Sequence, residues 1–339
     1  MTVTLSDVAR EAGVSLATAS RAINGSASRT VGAELRDRVL AAAVRLRYTP
    51  DANAQAMARG RTTSLGLLVH NIADPYFSAI AAGVAQSADA AGLQLTLASS
   101  ENDPAREIEM VHLLRRQRAR AIVLAGGRSD DVAVNDHLRL ALADFRSSGG
   151  SAALIGQPIL GVNTVVINNA QGASSLARAM HDLGYRRFAV LGGPEDYLSA
   201  RERRDAFIFT LRELGTTIAD ADIVSTSMDH AGGQEAMRIL LAAGTLPEMI
   251  FAVADTMALG ALGVMREAGV RVPQDVALAG FNDISTLRDV TPALTTVRLP
   301  LHELGHMATE LALSGSGDEP EIRTVHTELV IRDSTPRLR

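Results

Sequence analysis

The chain of 339 residues is 47% hydrophobic and 21% charged, a composition typical of a globular protein with about two domains. It contains no cysteine, which excludes disulfides, thiolate metal sites and cysteine nucleophiles and predicts a cytoplasmic location. Its charged N-terminus and the lack of any apolar run of about 18 residues predict neither a signal peptide nor a membrane span.

The net charge of −5 is unevenly distributed along the chain. Residues 1–61 hold nine Arg against five Asp and Glu, a balance of +4, whereas residues 62–339 hold 24 Arg against 33 acidic residues. A basic N-terminal segment on an acidic body predicts that this segment binds a polyanion such as nucleic acid.

The basic segment has the pattern of a helix-turn-helix. Thr4 can cap a first helix with Asp7 in the capping-box position, and Gly13 ends that helix. Ser15 caps a second helix, over about residues 16–24, after a connection so short that it predicts a tight corner. A third helix over about residues 32–46 is expected to close a three-helix bundle, with Leu35, Val39, Ala42, Ala43 and Leu46 on its buried face.

The second helix carries side chains suited to reading DNA. The start of such a helix faces base edges in the major groove, where Leu16 and Ala17 offer apolar contact to thymine methyl groups. Arg21 can pair bidentately with guanine. Four short donors suit phosphate contacts, namely Ser15, Thr18, Ser20 and Asn24. The alternative is a pair of ordinary core helices, but the basic charge and the third helix favour DNA binding.

From Leu65 onward, short apolar runs alternate with amphipathic helical patterns. This alternation predicts parallel sheets with right-handed crossovers, and about 275 residues is more than one such sheet needs, so two lobes are expected. The predicted strands lie at residues 65–69, 93–98, 121–125, 152–156, 188–192, 249–253, 276–279 and 325–331. The predicted helices lie near residues 76–91, 104–119, 170–183, 200–214, 231–243, 256–268 and 300–313.

Residues 302–306, His-Glu-Leu-Gly-His, match the pattern of zinc hydrolases, in which two His bind the metal and the Glu acts as general base. The helical pattern instead places His302, Glu303 and His306 on a solvated face with Thr309, opposite the apolar face. A catalytic zinc needs a guarded cleft and a third ligand. A zinc-dependent hydrolase therefore remains only the alternative function, and we predict no metal or other cofactor and no enzyme activity.

Short motifs follow one another in a characteristic order along the whole chain. The head contains Thr4-Leu5-x-Asp7-Val8-Ala9, Ala12-Gly13-Val14-Ser15, Thr18-x-Ser20-Arg21 and Tyr48-x-Pro50-x-x-x-Ala54. The body contains Asp74-Pro75-Tyr76-Phe77, Gly192-Gly193-Pro194, Ala200-Arg201-x-Arg203, Asp255-x-Met257-Ala258-Leu259-Gly260, Gly280-Phe281-Asn282-Asp283 and Thr291-Pro292-x-Leu294-Thr295-Thr296. Together these motifs resemble those of the LacI/GalR family of bacterial transcription regulators.

The resemblance implies a DNA-binding domain over residues 1–61 that ends in a hinge helix at about residues 50–60. It implies base readout by Leu16, Ala17 and Arg21, in agreement with their side-chain chemistry. It also implies DNA contacts by Thr4, Leu5, Tyr48, Ala54, Gln55 and Met57. Met57 stands where the family has a Leu that enters the minor groove, a role in which Met is acceptable.

For residues 62–339 the resemblance implies a periplasmic-binding-protein-like α/β body of two doubly wound lobes, with a ligand between them at the carboxyl ends of the strands. Lobe 1 would comprise about 62–161 and 292–323, and lobe 2 about 162–291 and 324–339. The implied effector-binding residues are Tyr76, Phe77, Arg201, Met228, Asp255, Asn282 and Asp283.

The implied pocket departs from that of family members that bind neutral sugars, because Gly156 and Asn282 stand where those proteins carry acids. Arg201 would then have no acidic partner in the pocket, and burying an unpaired cation costs free energy. A phosphorylated sugar or a sugar acid is therefore predicted ahead of a neutral sugar. The rival is that Asp255 and Asp283 pair with Arg201 and leave the pocket neutral.

These observations predict a ligand-responsive transcription regulator, most simply a repressor of carbohydrate metabolism, that works as a homodimer. Two heads would read a pseudo-palindromic operator in double-stranded DNA, with half-sites about one helical turn apart. A small-molecule effector in the cleft is expected to rearrange the lobes and so to form or dissolve the hinge helices. No membrane partner is expected.

Overall fold

The computed structural model describes residues 3–24, 31–49, 62–244, 246–315 and 319–338. The chain divides into two compact units, Met1–Thr63 and Ser64–Arg339, called here the head and the body. The predicted hinge helix at about residues 50–60 lies outside the described residues.

The described residues of the head form three short helices: α1 (Leu5–Glu11), α2 (Leu16–Asn24) and α3 (Ala33–Arg45). The capping box is present, since the Asp7 amide donates to Thr4 Oγ1 and the Thr4 amide donates to the Asp7 carboxylate. Gly13 has φ of 63°, which lets the chain turn sharply from α1 into α2. The head core consists of Val8, Ala9, Ala12, Ala19, Ala22, Val39 and Ala42. Leu35 was expected to be buried, but it is 37% exposed because it lies in the first turn of α3, which this core does not reach.

The first lobe of the body is a six-stranded parallel sheet with helices on both faces, in the strand order β11-β5-β4-β3-β1-β2. Alternate residues of β1 pack to opposite sides: Leu65 and Leu67 face α4 and α11, whereas Leu68 faces α5 and α6. The strands are β1 (Ser64–Val69), β2 (Gln94–Ser99), β3 (Ala121–Ala125), β4 (Ser151–Ile155), β5 (Asn163–Ile167) and β11 (Ile322–Val325). The helices are α4 (Pro75–Ala90), α5 (Pro104–Arg116), α6 (Val132–Ser147) and α11 (Leu301–Leu313).

The second lobe is a four-stranded parallel sheet in the order β7-β6-β8-β9. The strands β6, β8 and β9 are buried apolar runs, as expected for a parallel sheet that helices cover, whereas the edge strand β7 is only partly buried. The strands are β6 (Phe188–Gly192), β7 (Ile223–Ser225), β8 (Met249–Ala252) and β9 (Ala277–Ala279). The helices are α7 (Asn169–Asp182), α8 (Leu198–Glu213), α9 (His230–Ala242) and α10 (Asp255–Glu267).

The chain passes between the lobes three times. The first passage follows β5, where the chain leaves the first sheet and enters α7. The other two run through β10 (Thr296–Arg298) and β12 (Glu328–Val330), which pair with each other as a two-stranded antiparallel ladder. The last described residues then return to the second lobe, where the Leu338 amide donates to the Leu183 carbonyl.

The structure differs from the expected pattern of elements in several places. The strand expected at residues 325–331 is two strands, because β11 pairs with β5 in the first sheet and β12 pairs with β10. The expected second lobe began at about residue 162, but residues 163–167 form β5 in the sheet of the first lobe. The hydrophobic pattern also did not predict α6, the strand β5 or the short strands β7 and β10.

The helix α11, which contains the His-Glu-Leu-Gly-His stretch, packs closely against α4. A Cβ on Gly305 would lie 2.3 Å from the Ile80 carbonyl oxygen, and one on Gly83 would lie 2.0 Å from the His302 carbonyl oxygen. Only glycine fits at these two positions. Thr309 was expected on the solvated face, but it is buried, and its hydroxyl donates to the carbonyl of Gly305 one turn earlier. The glycine of the zinc-like motif is therefore a helix-packing residue.

Candidate functional site

The head presents the first turn of α2 to solvent. Leu16 is 52% exposed and Ala17 is exposed, as expected for side chains that read bases. Ser15 caps the helix, since its Oγ accepts from the Thr18 amide at 3.1 Å and lies 2.9 Å from Thr18 Oγ1. Arg21 lies along the helix surface and donates from Nε to the Ala17 carbonyl at 2.9 Å. Nη1 and Nη2 of the Arg21 guanidinium take no part in that hydrogen bond.

Other residues predicted to contact DNA have structural partners within the head. Thr4 Oγ1 donates to Asp7 at 2.7 Å, so its hydroxyl belongs to the cap of α1. Leu5 and Tyr48 are half-buried and pack against the head core. Asn24 Nδ2 donates to Ser20 Oγ at 3.3 Å. The predicted contacts at Ala54, Gln55 and Met57 lie outside the described residues.

The body contains a cleft of about 490 Å³ between the two lobes. Its lining comes from segments that directly follow the carboxyl ends of strands in both sheets, the place where open α/β sheets bind ligands. His70, Ser100, Arg128 and Gln157 follow strands of the first lobe, and Pro194, Met228, Ala254 and Asn282 follow strands of the second.

A buried ion pair forms part of the first-lobe wall. Arg128 Nη1 donates to both oxygens of Glu107 at 3.0 and 2.8 Å, and Arg128 Nη2 lies 3.1 Å from His70 Nε2. Burial, followed by the charge of Arg128, lowers the pKa of His70 to about 4, so this imidazole is neutral near pH 7. Tyr197 of the second lobe reaches the other His70 nitrogen, with Oη 3.1 Å from Nδ1.

The glycines of this wall leave no room for further side chains. A Cβ on Gly126 would lie 2.6 Å from the His70 ring. Gly156 has φ of 156°, and a Cβ there would lie 2.7 Å from the Gly126 carbonyl oxygen. The acid that is missing at Gly156 therefore could not be accommodated by this backbone.

The second-lobe wall holds a buried arginine, Arg203. Its Nε donates to Asn169 Oδ1 at 2.8 Å and its Nη1 donates to the Val253 carbonyl at 2.9 Å, and it stacks 4.0 Å above the Phe281 ring. No acid within salt-bridge distance accompanies it among the described residues. Burial lowers the pKa of Arg203 from its usual value. Arg203 is thus a buried cation at the cleft wall that neutral groups hold in place.

Hydrogen bonds join the two walls through Glu202. Gln157 of the first lobe donates to both Glu202 oxygens at 3.2 and 3.3 Å, and Asn169 of the second lobe donates at 2.7 Å. Gln157 also accepts from the Arg128 amide at 2.9 Å. A continuous polar network therefore runs from one lobe to the other, and Gln157 and Asn169 of this network line the cleft.

Four of the predicted effector-binding residues line this cleft: Tyr76, Phe77, Met228 and Asn282. Tyr76 and Phe77 stand at the start of α4 and stack edge to face, with ring centroids 4.9 Å apart. Asn282 is 5% exposed, and its Oδ1 has no hydrogen-bond partner among the described residues. A buried acceptor of this kind needs a donor from a ligand or from water.

Three predicted effector-binding residues do not line the cleft. Arg201 is about one-third exposed and pairs with Asp130 of the first lobe, and neither residue belongs to the cleft lining. Asp255 is fully buried, where it accepts from Thr296 Oγ1 at 2.7 Å and from the Ile284 amide at 2.9 Å. Asp283 pairs with Arg298 and Arg332. Neither acid pairs with Arg201, so the rival arrangement considered for the pocket does not form.

Arg203 was not among the predicted site residues, although the sequence contains a signal for it. Ala200, Arg203, Phe207 and Leu211 share the buried face of α8 at the spacing of a helix, which marks Arg203 as the inward-facing arginine of the run. His70, Arg128 and Tyr197 were also missed. Their contacts join segments far apart in sequence, so no local pattern points to them.

The charged groups of the cleft lining are mostly acidic. Six acids and two arginines line it, namely Asp74, Asp103, Glu107, Asp131, Asp196 and Asp229, with Arg128 and Arg203. Asp74, Asp103, Asp131 and Asp229 each cap the N-terminus of a helix and accept its backbone N–H groups. Burial raises the pKa of Asp74 above its usual value.

The His-Glu-Leu-Gly-His stretch has no metal-site geometry. His306 Nδ1 lies 2.7 Å from Ser87 Oγ and its Nε2 lies 3.3 Å from Glu310, so neighbours on the surface engage both ring nitrogens. Within the part of the chain that the structure describes, no three His, Asp or Glu side chains are grouped so as to hold a metal ion.

A helix-turn-helix head with an exposed second helix, followed by a two-lobed body with a cleft, defines a ligand-responsive DNA-binding regulator. The profile of the bacterial regulatory proteins, lacI family, matches residues 4–51, and the profile of the periplasmic binding protein-like domain matches residues 177–335. The transcriptional regulator GalR of Escherichia coli is 32% identical over 342 residues, with 99% of this chain and 97% of GalR covered. The chain belongs to the LacI family of bacterial transcriptional regulators.

Solved structures resemble the chain over nearly its full length. The Lac repressor dimer bound to operator and the anti-inducer ONPF superimposes with a TM-score of 0.86 at 25% identity, covering 99% of this chain and all of that one. The complex of the regulator CelR with cellobiose has a TM-score of 0.71 at 28% identity, covering 98% and 99%. The family consists of transcriptional regulators, and this chain is a regulator and not an enzyme. Among its described helices, none has the length and apolar character needed to cross a bilayer.

Proposed function

We propose that this regulator is a homodimeric repressor that binds a pseudo-palindromic operator and is controlled by a small carbohydrate in the cleft between its lobes. The observation that carries the proposal is one chain with an exposed α2 in its head and a cleft at the carboxyl ends of both sheets in its body. The likeness to a Lac repressor dimer bound to operator supports the dimer and the operator. A bacterial repressor that binds chromosomal DNA acts in the cytoplasm.

The proposed division of the chain assigns residues 1–61, with a hinge helix at about 50–60, to DNA binding. Residues 62–339 bind the effector and form the dimer. Within the head, Leu16, Ala17 and Arg21 read bases, because their side chains stand on the outer surface of α2. Ser15, Thr18, Ser20 and Asn24 contact phosphates and position the helix.

Selection from random duplex DNA by the full-length chain tests the DNA-binding part of the proposal. The expected product is a pair of inverted half-sites about one helical turn apart, bound by two chains in a gel shift. Recovery of a single half-site, or of no consensus, would contradict the proposed dimeric operator recognition.

The proposed effector is a neutral carbohydrate. Arg201, which an anionic effector would neutralise, pairs with Asp130 outside the cleft lining. The buried Arg203 has no acidic partner among the described residues, but Asn169, the Val253 carbonyl and the Phe281 ring stabilise it without an anion.

Glu107 is neutralised by Arg128, which leaves five acids against Arg203 in the lining, a balance that disfavours a phosphate or a carboxylate. The helix caps use Oδ1 of Asp74, Asp103, Asp131 and Asp229, and a carboxylate has a second oxygen that can accept from a sugar hydroxyl. The unpartnered Asn282 Oδ1 also requires a donor. The likeness to the CelR–cellobiose complex agrees with this class of ligand.

Calorimetric titration of the full-length chain with a panel of ligands tests this class. The panel holds neutral mono- and disaccharides, cellobiose among them, with matched sugar phosphates and sugar acids. We expect a neutral sugar to bind most tightly and to change the affinity of the chain for its selected operator. Tightest binding by a sugar phosphate or a sugar acid would restore the anionic alternative, with Arg203 as its cation.

A further inference from the structure

Two of the three passages between the lobes meet at one carboxylate, that of Asp283. This residue follows β9 of the second lobe, and its side chain is 1% exposed. Its Oδ2 accepts from Arg298 Nε at 2.7 Å, and its Oδ1 accepts from Arg332 Nη2. Arg298 is the last residue of β10 and Arg332 lies two residues beyond β12, so the carboxylate bonds to both passages.

The two arginines are themselves fixed to the opposite passage. Arg298 Nη1 donates to Glu328 at 3.0 Å, which is the first residue of β12. The Arg332 amide donates to Thr295 Oγ1 at 2.8 Å, and Arg332 Nη1 donates to the Leu294 carbonyl at 2.6 Å, just before β10. Burial alone would raise the pKa of Asp283, but the bonds from Arg298 and Arg332 more than offset it, and the pKa lies below its usual value. The group is charged wherever the protein is folded near pH 7.

The preceding residue, Asn282, belongs to the cleft and to β10 at once. Its amide donates to the Val297 carbonyl at 2.8 Å, and its carbonyl accepts from the Leu299 amide at 3.2 Å. Its side chain lines the cleft with an unpartnered Oδ1. Asn282 and Asp283 have φ of 126° and 57°, conformations that residues other than glycine rarely adopt, so the surrounding bonds fix this turn.

We propose that Asp283 is a positioning residue that holds the two lobes in one relative orientation by joining the passages through β10 and β12. It stands next to the effector contact at Asn282, so an effector that binds Asn282 acts directly on the turn that carries this hinge. The inference rests on the proposed function only in taking the cleft beside Asn282 as the effector site.

The distance between the lobes, measured in the full-length chain, tests the proposal. The chain has no cysteine, so His137→Cys on α6 and Glu267→Cys on α10 provide the only two thiols for spin labels on exposed helix positions. An excess of unlabelled chain keeps the measured pair within one protomer. We expect a narrow distance distribution in this background and one at least twice as wide after Asp283→Asn, at a temperature where both chains are folded.

A matched control removes another Arg–Asp pair of the second lobe. Asp275 accepts three bonds from Arg271 and touches neither passage, so Asp275→Asn is expected to leave the distribution unchanged. Should Asp283→Asn fail to fold, Arg298→Gln breaks the bond to β10 from a more exposed side chain. Arg298→Gln is expected to widen the distance distribution, and Arg298→Lys is expected to widen it less.

Two results would overturn the proposal: distributions for Asp283→Asn and Arg298→Gln as narrow as that of the parent, or equal widening by Asp275→Asn. The proposed effector class fails separately, if no neutral sugar binds in the calorimetric panel. The distance measurement needs no effector, so its outcome decides the role of Asp283 in either case.

Discussion

Arg201 and Arg203 stand two positions apart on α8 and have opposite surroundings. Arg201 is about one-third exposed and pairs with Asp130, whereas Arg203 is 3% exposed and bonds only to neutral groups at the cleft wall. A helical step of 100° per residue separates the two side chains by about 200° around the axis. The family motif carries both arginines, and only the direction of each side chain distinguishes Arg203, which lines the cleft, from Arg201, which does not.

This difference leads to a paired prediction for ligand binding. Arg203→Gln should weaken binding of the tightest sugar in the calorimetric panel by at least about tenfold, because a hydrogen bond from a charged donor contributes about 1.5–3 kcal/mol. Arg201→Gln should change it by less than about fivefold, since an exposed ion pair contributes about 0–1 kcal/mol. A larger loss from Arg201→Gln would return that arginine to the binding site.

A second prediction at this scale concerns base recognition by Arg21. Arg21→Ala should weaken operator binding by about 1–3 kcal/mol and relax the preference for one guanine in each half-site. Arg10→Ala is the matched control, because Arg10 is exposed on α1 and pairs with Asp7. Gel shifts on the selected operator and on random DNA measure the effect. An equal loss on both DNAs would make Arg21 a phosphate contact only.

Among the elements, the crossing of α4 and α11 depends on glycine. Gly305→Ala would place a methyl carbon 2.3 Å from a backbone oxygen, and rigid helix backbones cannot move apart cheaply. We expect a loss of about 1–3 kcal/mol in the free energy of unfolding, the usual range for an overpacked core. Gly263→Ala on α10 is the control, because nothing lies within 4 Å of its Cβ position. That change should stabilise the chain by up to about 1 kcal/mol through helix propensity.

Urea unfolding of the two variants measures both effects. Equal stabilities for Gly305→Ala and Gly263→Ala would show that α4 and α11 can separate, and that the close approach is not required by the fold.

The hydrophobic pattern of the sequence predicted most of the helices and strands, but it did not show to which lobe each of them belongs. The long helices and the buried strands of both sheets stand out by periodicity, since each buries a full stripe or a full run of apolar residues. Strands of three residues such as β7 and β10 bury too little to show a period. Strand β5 joins the first sheet through pairing with β4 and β11, a contact between distant segments that no local window reports.

The candidate site divides in the same way. Tyr76, Phe77, Met228 and Asn282 were predicted from motifs and do line the cleft. Asp255 and Asp283 belong to the same motifs, but they serve the turn and the hinge. A family motif can contain residues that contact the ligand and residues that support the backbone. Only the direction of the side chain separates the two, and direction depends on the packed structure.

For the whole molecule, two buried titrating groups give opposite pH dependences of stability. The pKa of His70 falls from 6.5 to about 4 on burial, so the unfolded chain binds the extra proton between these values and acidification destabilises the fold. The pKa of Asp255 rises from 3.8 to about 7 on burial, so the folded chain binds the extra proton and raising the pH destabilises the fold. Between about pH 4 and 6.5 the two effects offset each other.

Replacing one of these two groups should therefore make the pH dependence of stability that the other causes measurable. In Asp255→Asn the free energy of unfolding should rise with pH between about 4 and 6.5, and in His70→Gln it should fall with pH up to about 7. The change is on the order of 3 kcal/mol for His70 and 4 kcal/mol for Asp255, from about 1.4 kcal/mol per pKa unit. Urea unfolding at half-unit steps of pH measures these slopes. Parallel slopes in the parent and both variants would show that neither group titrates in this range.

The threefold passage of the chain between the lobes also bears on how such a regulator can acquire a new specificity. Residues 64–167 and 301–325 build one half of the cleft, while residues 169–295 and 328–338 build the other. Neither half is a continuous stretch of gene. To exchange one intact half between two relatives, recombination would need crossovers at three places in the gene. A crossover at only one of them would combine parts of two different hydrophobic cores in one lobe. Point substitutions in the segments behind each strand are therefore the accessible route to a new effector, and the sheets can stay unchanged while those segments vary.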